Sequence, residues 1–253
     1  MALIFLDLDG TLLYRGDIVS GMKELIQELK NNSHEVAIAT GRNPVLLNNI
    51  EKKLKVDNLV LANGGLVISH NKVIKENFVS FETVKKMMEY SDKHKFDLVI
   101  EYEDEYISYR KDSKASDNFS ETFNLPNARF DNKIYPKRNV FAMVVFSNDL
   151  VDILRKEFPE LQFNRSNKYG YDVNPKGELK ASGVKTLINY LDVDYKKTYA
   201  IGDGFNDIKM LKSVKHGIAM GNAVDELKAV AEYVTDDVNN EGLKKALKYY
   251  KLI

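Results

Sequence analysis

The chain opens on an almost unbroken apolar run, Leu3-Ile4-Phe5-Leu6, which ends in Asp7-Leu8-Asp9-Gly10-Thr11. An apolar run of this length closed by glycine predicts a strand buried on both faces of a parallel sheet. Met22, Leu25, Ile26 and Leu29 then recur at i, i+3, i+4 and i+7, the apolar stripe of an amphipathic helix. Residues 35–40 (EVAIAT) predict a second buried strand. Asn43-Pro44 marks a helix start, with Leu46, Leu47, Ile50 and Leu54 on that helix's buried face. A third apolar run, residues 59–62, stops at Asn63-Gly64-Gly65. This alternation of strand and helix implies right-handed crossovers and a parallel sheet, in which sites form outside the carboxyl ends of the strands.

From residue 81 the rhythm changes. A helix carrying Val84, Met87 and Met88 leads into strands at 97–102 and 106–110; a polar stretch, 113–136, is helical around 119–123. The strongest strand pattern, 140–146, is followed by a helix at 150–158 and strands at 161–165 and 171–174. Two helix-strand-strand repeats read as a separate α+β module inserted into the first fold, with borders near residues 80 and 178. The parallel rhythm then resumes with a helix through Val184, Leu187, Ile188 and Leu191, and a strand at 198–201 that ends in Gly202-Asp203-Gly204-Phe205-Asn206-Asp207. Short apolar segments at 217–220, before Gly221-Asn222, and at 233–235, before Asp236-Asp237, precede a last helix at 243–250.

Composition narrows the function classes. At 253 residues, two modest domains are expected, and 44% hydrophobic with 29% charged residues describes a chain able to bury a core. Lys+Arg and Asp+Glu balance at 37 each, so no net field recommends a nucleic-acid or membrane partner. The absence of cysteine excludes a disulfide framework and thiolate chemistry. Asp7 interrupts the first apolar run too early for a signal peptide, so a cytoplasmic location is expected.

The chemistry gathers at strand ends. Asp7 and Asp9, two apart, project to one side if the strand persists that far, and two such carboxylates raise each other's pKa unless a cation lies between them. Mg²⁺ suits that need, being hard and oxygen-seeking. Each motif alone also reads as an Asx-rich turn, but four strands deliver Asp7/Asp9, Thr40, Asn63 and Asp203/Asn206/Asp207 to one rim. Such a set fits phosphoryl transfer, which needs a nucleophile, a metal, donors to the equatorial oxygens and a proton donor to the leaving group. Asp7 is the candidate nucleophile, Asp9 the candidate acid and base, and Asp203 with Asp7 the candidate metal pair. Thr40 and the Gly41 amide can donate to phosphate. Two lysines compete for the remaining cationic role, Lys176 in Pro-Lys-Gly-Glu and Lys180 in Lys-Ala-Ser-Gly; Lys180 is favoured because it opens the helix feeding the 198–201 strand.

Asp-Leu-Asp-Gly-Thr, Thr-Gly, the lysine and Gly-Asp-Gly-Phe-Asn-Asp together resemble the motifs of the haloacid dehalogenase (HAD) superfamily along nearly the full length, and the insertion resembles the α+β cap of its Cof-type (C2B-capped) phosphatases. The resemblance implies an α/β fold: a Rossmann-like, HAD-like parallel-sheet core (residues 1–80 and 179–253) with an inserted α+β cap (81–178) that sets specificity. It implies a Mg²⁺-dependent phosphatase of small phosphorylated metabolites, sugar phosphates first, acting through an aspartyl-phosphate. Asp7 and Asp9 would be catalytic; Asp7, Asp9 through its carbonyl, and Asp203 would hold the metal, with Asp207 in support. The Leu8 amide, Thr40, Gly41, Lys180 and Asn206 would bind phosphate. One departure from the family pattern is that Ala181 follows Lys180 whereas Gly177 follows Lys176. Arg42, Asn63, Arg138, Arg165, Lys168, Tyr169 and Tyr171 are candidates for substrate contact. A monomer or weak homo-oligomer is expected. The alternatives are a phosphomutase of the same superfamily, a signalling phosphoacceptor and a non-enzymatic metabolite-binding protein; the insertion argues against the phosphoacceptor and the intact acid set against the binding protein.

Overall fold

The computed structural model describes residues 1–122, 124–165, 170–177 and 180–253. Its internal contacts divide the chain into two units, one of Met1–Gly41, Asn49–Glu76 and Leu179–Ile253, the other of Arg42–Asn48 and Asn77–Glu178.

Among the described residues, the first unit carries an eight-stranded sheet in the order Tyr233–Val234, His216–Ala219, Thr198–Gly202, Leu3–Leu6, Glu35–Ala39, Asn58–Leu61, Leu66–Ser69, Lys72–Glu76. The first six run parallel, and the last two add an antiparallel edge. Leu3–Leu6 lies inside the sheet between Thr198–Gly202 and Glu35–Ala39, which is why all four of its residues are apolar and buried. The edge hairpin is invisible as a strand pair in the apolar pattern because Lys72–Glu76 mixes three charged residues with Val73 and Ile74 at a solvent edge. His70 and Asn71, both left-handed (φ 46° and 64°), make its two-residue turn. Val60, Val184, Leu187, Ala200 and Met210 share one buried cluster, which binds helix Lys180–Tyr190 to the sheet. Helix Met22–Asn31 buries Met22, Leu25, Ile26 and Leu29 as the spacing predicts.

One predicted helix breaks. Residues 45–47 form a single 3₁₀ turn, and Asn48 and Asn49 both turn left-handed before a short helix, Ile50–Leu54. The physical reason lies in the neighbours: Ile50 and Leu54 are buried in the first unit, whereas Leu46 packs with Val99, Tyr106, Phe119 and Val144 of the second.

The second unit holds a six-stranded sheet, Arg129–Phe130, Tyr106–Ser108, Asp97–Tyr102, Val140–Phe146, Tyr171–Pro175, Leu161–Arg165, antiparallel except for its first pair. Helices Phe81–His94 and Val151–Glu157 cover one face through Met87, Met88, Leu154, Ile100 and Met143. The helix read around residue 119 is longer than expected, Lys114–Thr122. Its Phe119 packs with Val99 in the separate Leu46 cluster. Glu101, two residues from Val99 in the same strand, is 4% exposed. Burial, and then the Asp172 charge, push its carboxyl up to about 8. A raised acid binds its proton more tightly in the fold than in the unfolded chain, so its contribution to stability is greatest below about pH 4.5 and declines towards pH 8. The decline is on the order of a few kcal/mol. Glu101→Gln, which imitates the protonated acid, is therefore expected to match the parent in melting temperature at pH 5 and to exceed it at pH 8.5. Equal differences at both pH values would contradict this. No helix among the described residues is long and apolar enough to cross a membrane.

Candidate active site

The carboxyl ends of the parallel strands bring together residues far apart in the chain. Strand Leu3–Leu6 stops one residue before Asp7, whose N–H still donates to the Ile201 carbonyl at 3.0 Å. Beyond it the chain curls, because the Leu8 carbonyl accepts from the N–H groups of Thr11, Leu12 and Leu13. The strand alternation that would align Asp7 and Asp9 therefore does not continue that far. Gly10, at φ +83°, makes room for the site: a Cβ there would lie 2.1 Å from Asp203 Oδ2.

Lys180, fully buried at the start of helix Lys180–Tyr190, donates to Asp7 Oδ1 at 2.5 Å and to Asp207 Oδ1 at 2.7 Å. Burial works against its charge, but Asp207 and Asp7 outweigh that and hold its pKa above the ordinary value. Lys176 belongs to the second unit, where it is exposed and its N–H meets the Glu160 carbonyl. Asp207 Oδ2 accepts from the Asp203 and Gly204 amides at 3.0 and 2.9 Å, so both oxygens of Asp207 are committed to organising the turn and the lysine.

Asp7, Asp203 and Asp207 each offer an oxygen within 4.8 Å of the others. Three carboxylates face one ammonium. Burial first, then Asp207, drives the Asp7 carboxyl well above its usual range, with Lys180 opposing. The same two causes, in the same order, push Asp203 up to about 7. Such a set is short of positive charge, and its all-oxygen, hard donors fit a divalent cation of the Mg²⁺ kind.

Two further side chains orient Asp203. Thr11 Oγ1 donates to Oδ1 at 3.4 Å, and Asn222 Nδ2 donates to Oδ2 at 3.3 Å and to the Gly10 carbonyl at 2.9 Å. Neither Thr11 nor Asn222 is among the site residues the sequence singles out. The signal for Asn222 was its place after the 217–220 run, at the end of another parallel strand.

The other candidates are distributed as follows. Leu8 and Thr40 are buried, and Asp9 is half-buried near enough to Asp203 to raise its pKa. Asn206 is exposed and donates through Nδ2 to Asn63 Oδ1 at 3.2 Å. Asn63 also lies beside Gly41, where a Cβ would be 3.2 Å from its Oδ1. Arg42 belongs to the second unit, buried, with Nη1 on the Leu46 carbonyl at 3.0 Å. Arg138 pairs with Glu105 at 2.6 Å and with Asp104, its guanidinium stacked over Tyr102. Tyr171 is part of the helix-covered core. Arg165 is exposed at a strand end, 5.9 Å from the Tyr171 ring centroid. Lys168 and Tyr169 lie outside the described residues.

The sequence model of the haloacid dehalogenase-like hydrolases matches residues 4–247. YkrA of Bacillus subtilis, a protein named provisionally as a phosphatase, is 32% identical over 99% of this chain and 98% of its own. A crystal structure of a hypothetical protein from Geobacillus kaustophilus superposes with a TM-score of 0.91 at 32% identity, covering 100% of this chain and 99% of that one. The HAD subclass IIB sugar phosphatase BT4131 superposes with a TM-score of 0.86 at 25% identity, covering both chains completely.

Proposed function

The chain belongs to the haloacid dehalogenase-like hydrolases, as a phosphatase of the Cof type, and from that premise we propose that it hydrolyses small sugar phosphate-like monoesters with Mg²⁺ through an aspartyl-phosphate on Asp7. The observation that carries this reading is the set of Asp7, Asp203 and Asp207 at the ends of the paired strands Leu3–Leu6 and Thr198–Gly202, met by the buried Lys180. The likeness to a sugar phosphatase supports the substrate class.

In the first step an Asp7 oxygen attacks phosphorus as the ester P–O bond breaks, and Asp9 gives its proton to the departing alkoxide oxygen. Water then attacks the same phosphorus, Asp9 takes the water's proton, and the bond to Asp7 breaks to free inorganic phosphate. Asp7, Asp203 and the Asp9 carbonyl would hold Mg²⁺, with Asp207 supporting; the ion supplies charge neutralisation for the phosphate dianion beside carboxylates. Lys180, the Leu8 and Gly41 amides, Thr40 and Asn206 are assigned to the phosphate oxygens. In the second unit, Arg165, at the end of strand Leu161–Arg165, and Arg42 are the residues we assign to substrate choice. The lack of cysteine is compatible with a reducing cytoplasm, to which we assign the protein.

The test is release of inorganic phosphate from several dozen phosphorylated metabolites, with and without metal. Activity is expected to vanish on chelation, return with Mg²⁺ and fall when Ca²⁺ competes, since calcium's looser shell misplaces the attacking carboxylate. Full turnover in a metal-stripped sample contradicts the metal role. Isomerisation without phosphate release indicates a mutase.

A further inference from the structure

The turn that ends strand Asn58–Leu61 is sterically costly, and its position suggests why. Ala62 (φ 49°), Asn63 (φ 51°) and Gly64 (φ 92°) are left-handed in succession, a conformation in which L-residues are disfavoured and which persists only when the surroundings enforce it. The surroundings do so here. Helix Lys180–Tyr190 presses on the turn so closely that a Cβ at Gly183 would lie 3.0 Å from the Gly64 Cα. The Asn63 N–H donates to the Thr40 carbonyl at 3.1 Å, and Asn63 itself is 3% exposed. What the strained backbone achieves is to carry the Asn63 carboxamide to the rim, where Oδ1 accepts from Asn206 Nδ2 at 3.2 Å and the amide borders Gly41.

We propose that Asn63 is a positioning residue: it grips Asn206 through its side chain and Thr40 through its backbone, fixing the two phosphate-binding loops relative to each other. The inference rests on the assignment of Thr40, Gly41 and Asn206 to phosphate. An exposed Asn206 amide has free rotamers in water; with one N–H committed to Asn63, the other keeps a single direction for an anion. In this role Asn63 acts through Asn206.

The decisive variant is Asn63→Gly. Glycine adopts the left-handed turn without strain, so a residue that served only to shape the turn would be replaced at no loss of function. Positioning predicts the opposite combination: a melting temperature equal to or above the parent's, with kcat/KM on an aryl phosphate lowered by about 10- to 100-fold. Asn206→Ala should lower it similarly, and the double variant should be no worse than Asn206→Ala alone, because the Asn63–Asn206 bond is then already gone. Wild-type rate in Asn63→Gly, or losses that multiply in the double variant, overturn the proposal. Calorimetric binding of orthovanadate to the four Mg²⁺-loaded proteins repeats the comparison without turnover. An inactive parent would count against the phosphatase reading alone. Equal vanadate affinity in the parent and Asn63→Gly would count against this one.

Discussion

Asp7→Asn is expected to abolish turnover, by about 10⁴-fold or more, while leaving the fold intact. An amide carries no charge for a metal and is a poor nucleophile at phosphorus, so both steps of the proposed reaction would lose their reacting atom. The fold survives because Lys180 keeps its second partner, Asp207, at 2.7 Å. Removal of one of three crowded carboxylates also relieves repulsion, so the melting temperature without Mg²⁺ should hold or rise. Steady-state kinetics on an aryl phosphate, circular dichroism and intact mass after rapid acid quench check this together. A phosphorylated Asp7→Asn protein in the quench would transfer the nucleophile to another residue.

Lys180→Ala is expected to cost both activity and stability. Loss of a charge contact to the transferring phosphoryl group contributes about 2.7–4 kcal/mol, or 10²–10³ in kcat. The folded protein loses as well, since Asp7 and Asp207 remain buried without their cation, a fault that typically costs about 3–5 kcal/mol. The pH dependence has a definite sign. Burial already raises the Asp7 carboxyl and Lys180 opposes that, so without the lysine Asp7 holds its proton still more tightly in the fold, and the stability deficit of the variant should be larger at pH 8 than at pH 5.5. Lys176→Ala, at an exposed position in the other unit, should leave kcat within a few-fold. Kinetics and thermal melts of both variants decide; a crippled Lys176→Ala with an active Lys180→Ala would reverse the assignment.

The parallel core was legible because its strands are buried on both faces. Leu3–Leu6, Glu35–Ala39 and Asn58–Leu61 read as apolar runs that polar residues interrupt only at the rim. The edge hairpin of residues 66–76 was not, since an edge strand needs no apolar run. The break at Asn48-Asn49 was hidden for a different reason: Leu46 and Ile50 keep helical spacing yet serve different cores, and periodicity cannot say which core a residue enters. Asn63 stood out in the sequence as a strand-end residue, but the bond it makes to Asn206, 143 positions away, is a property of the sheet order alone.

That sheet order also fixes when the protein can finish folding. Leu3–Leu6 leaves the ribosome well before Thr198–Gly202, yet one of its two edges pairs with that strand, and the ammonium that meets Asp7 sits at residue 180. Until those residues emerge, a wholly apolar strand keeps an open edge and waits for a partner nearly 200 positions away, with the whole insertion synthesised in between. Open apolar edges are templates for aggregation, and closing long chain loops is slow. Chains that end before Thr198 therefore carry the hazard permanently, and the nascent protein makes its heaviest demand on chaperones during synthesis of the insertion, well before any residue of Gly-Asp-Gly-Phe-Asn-Asp exists.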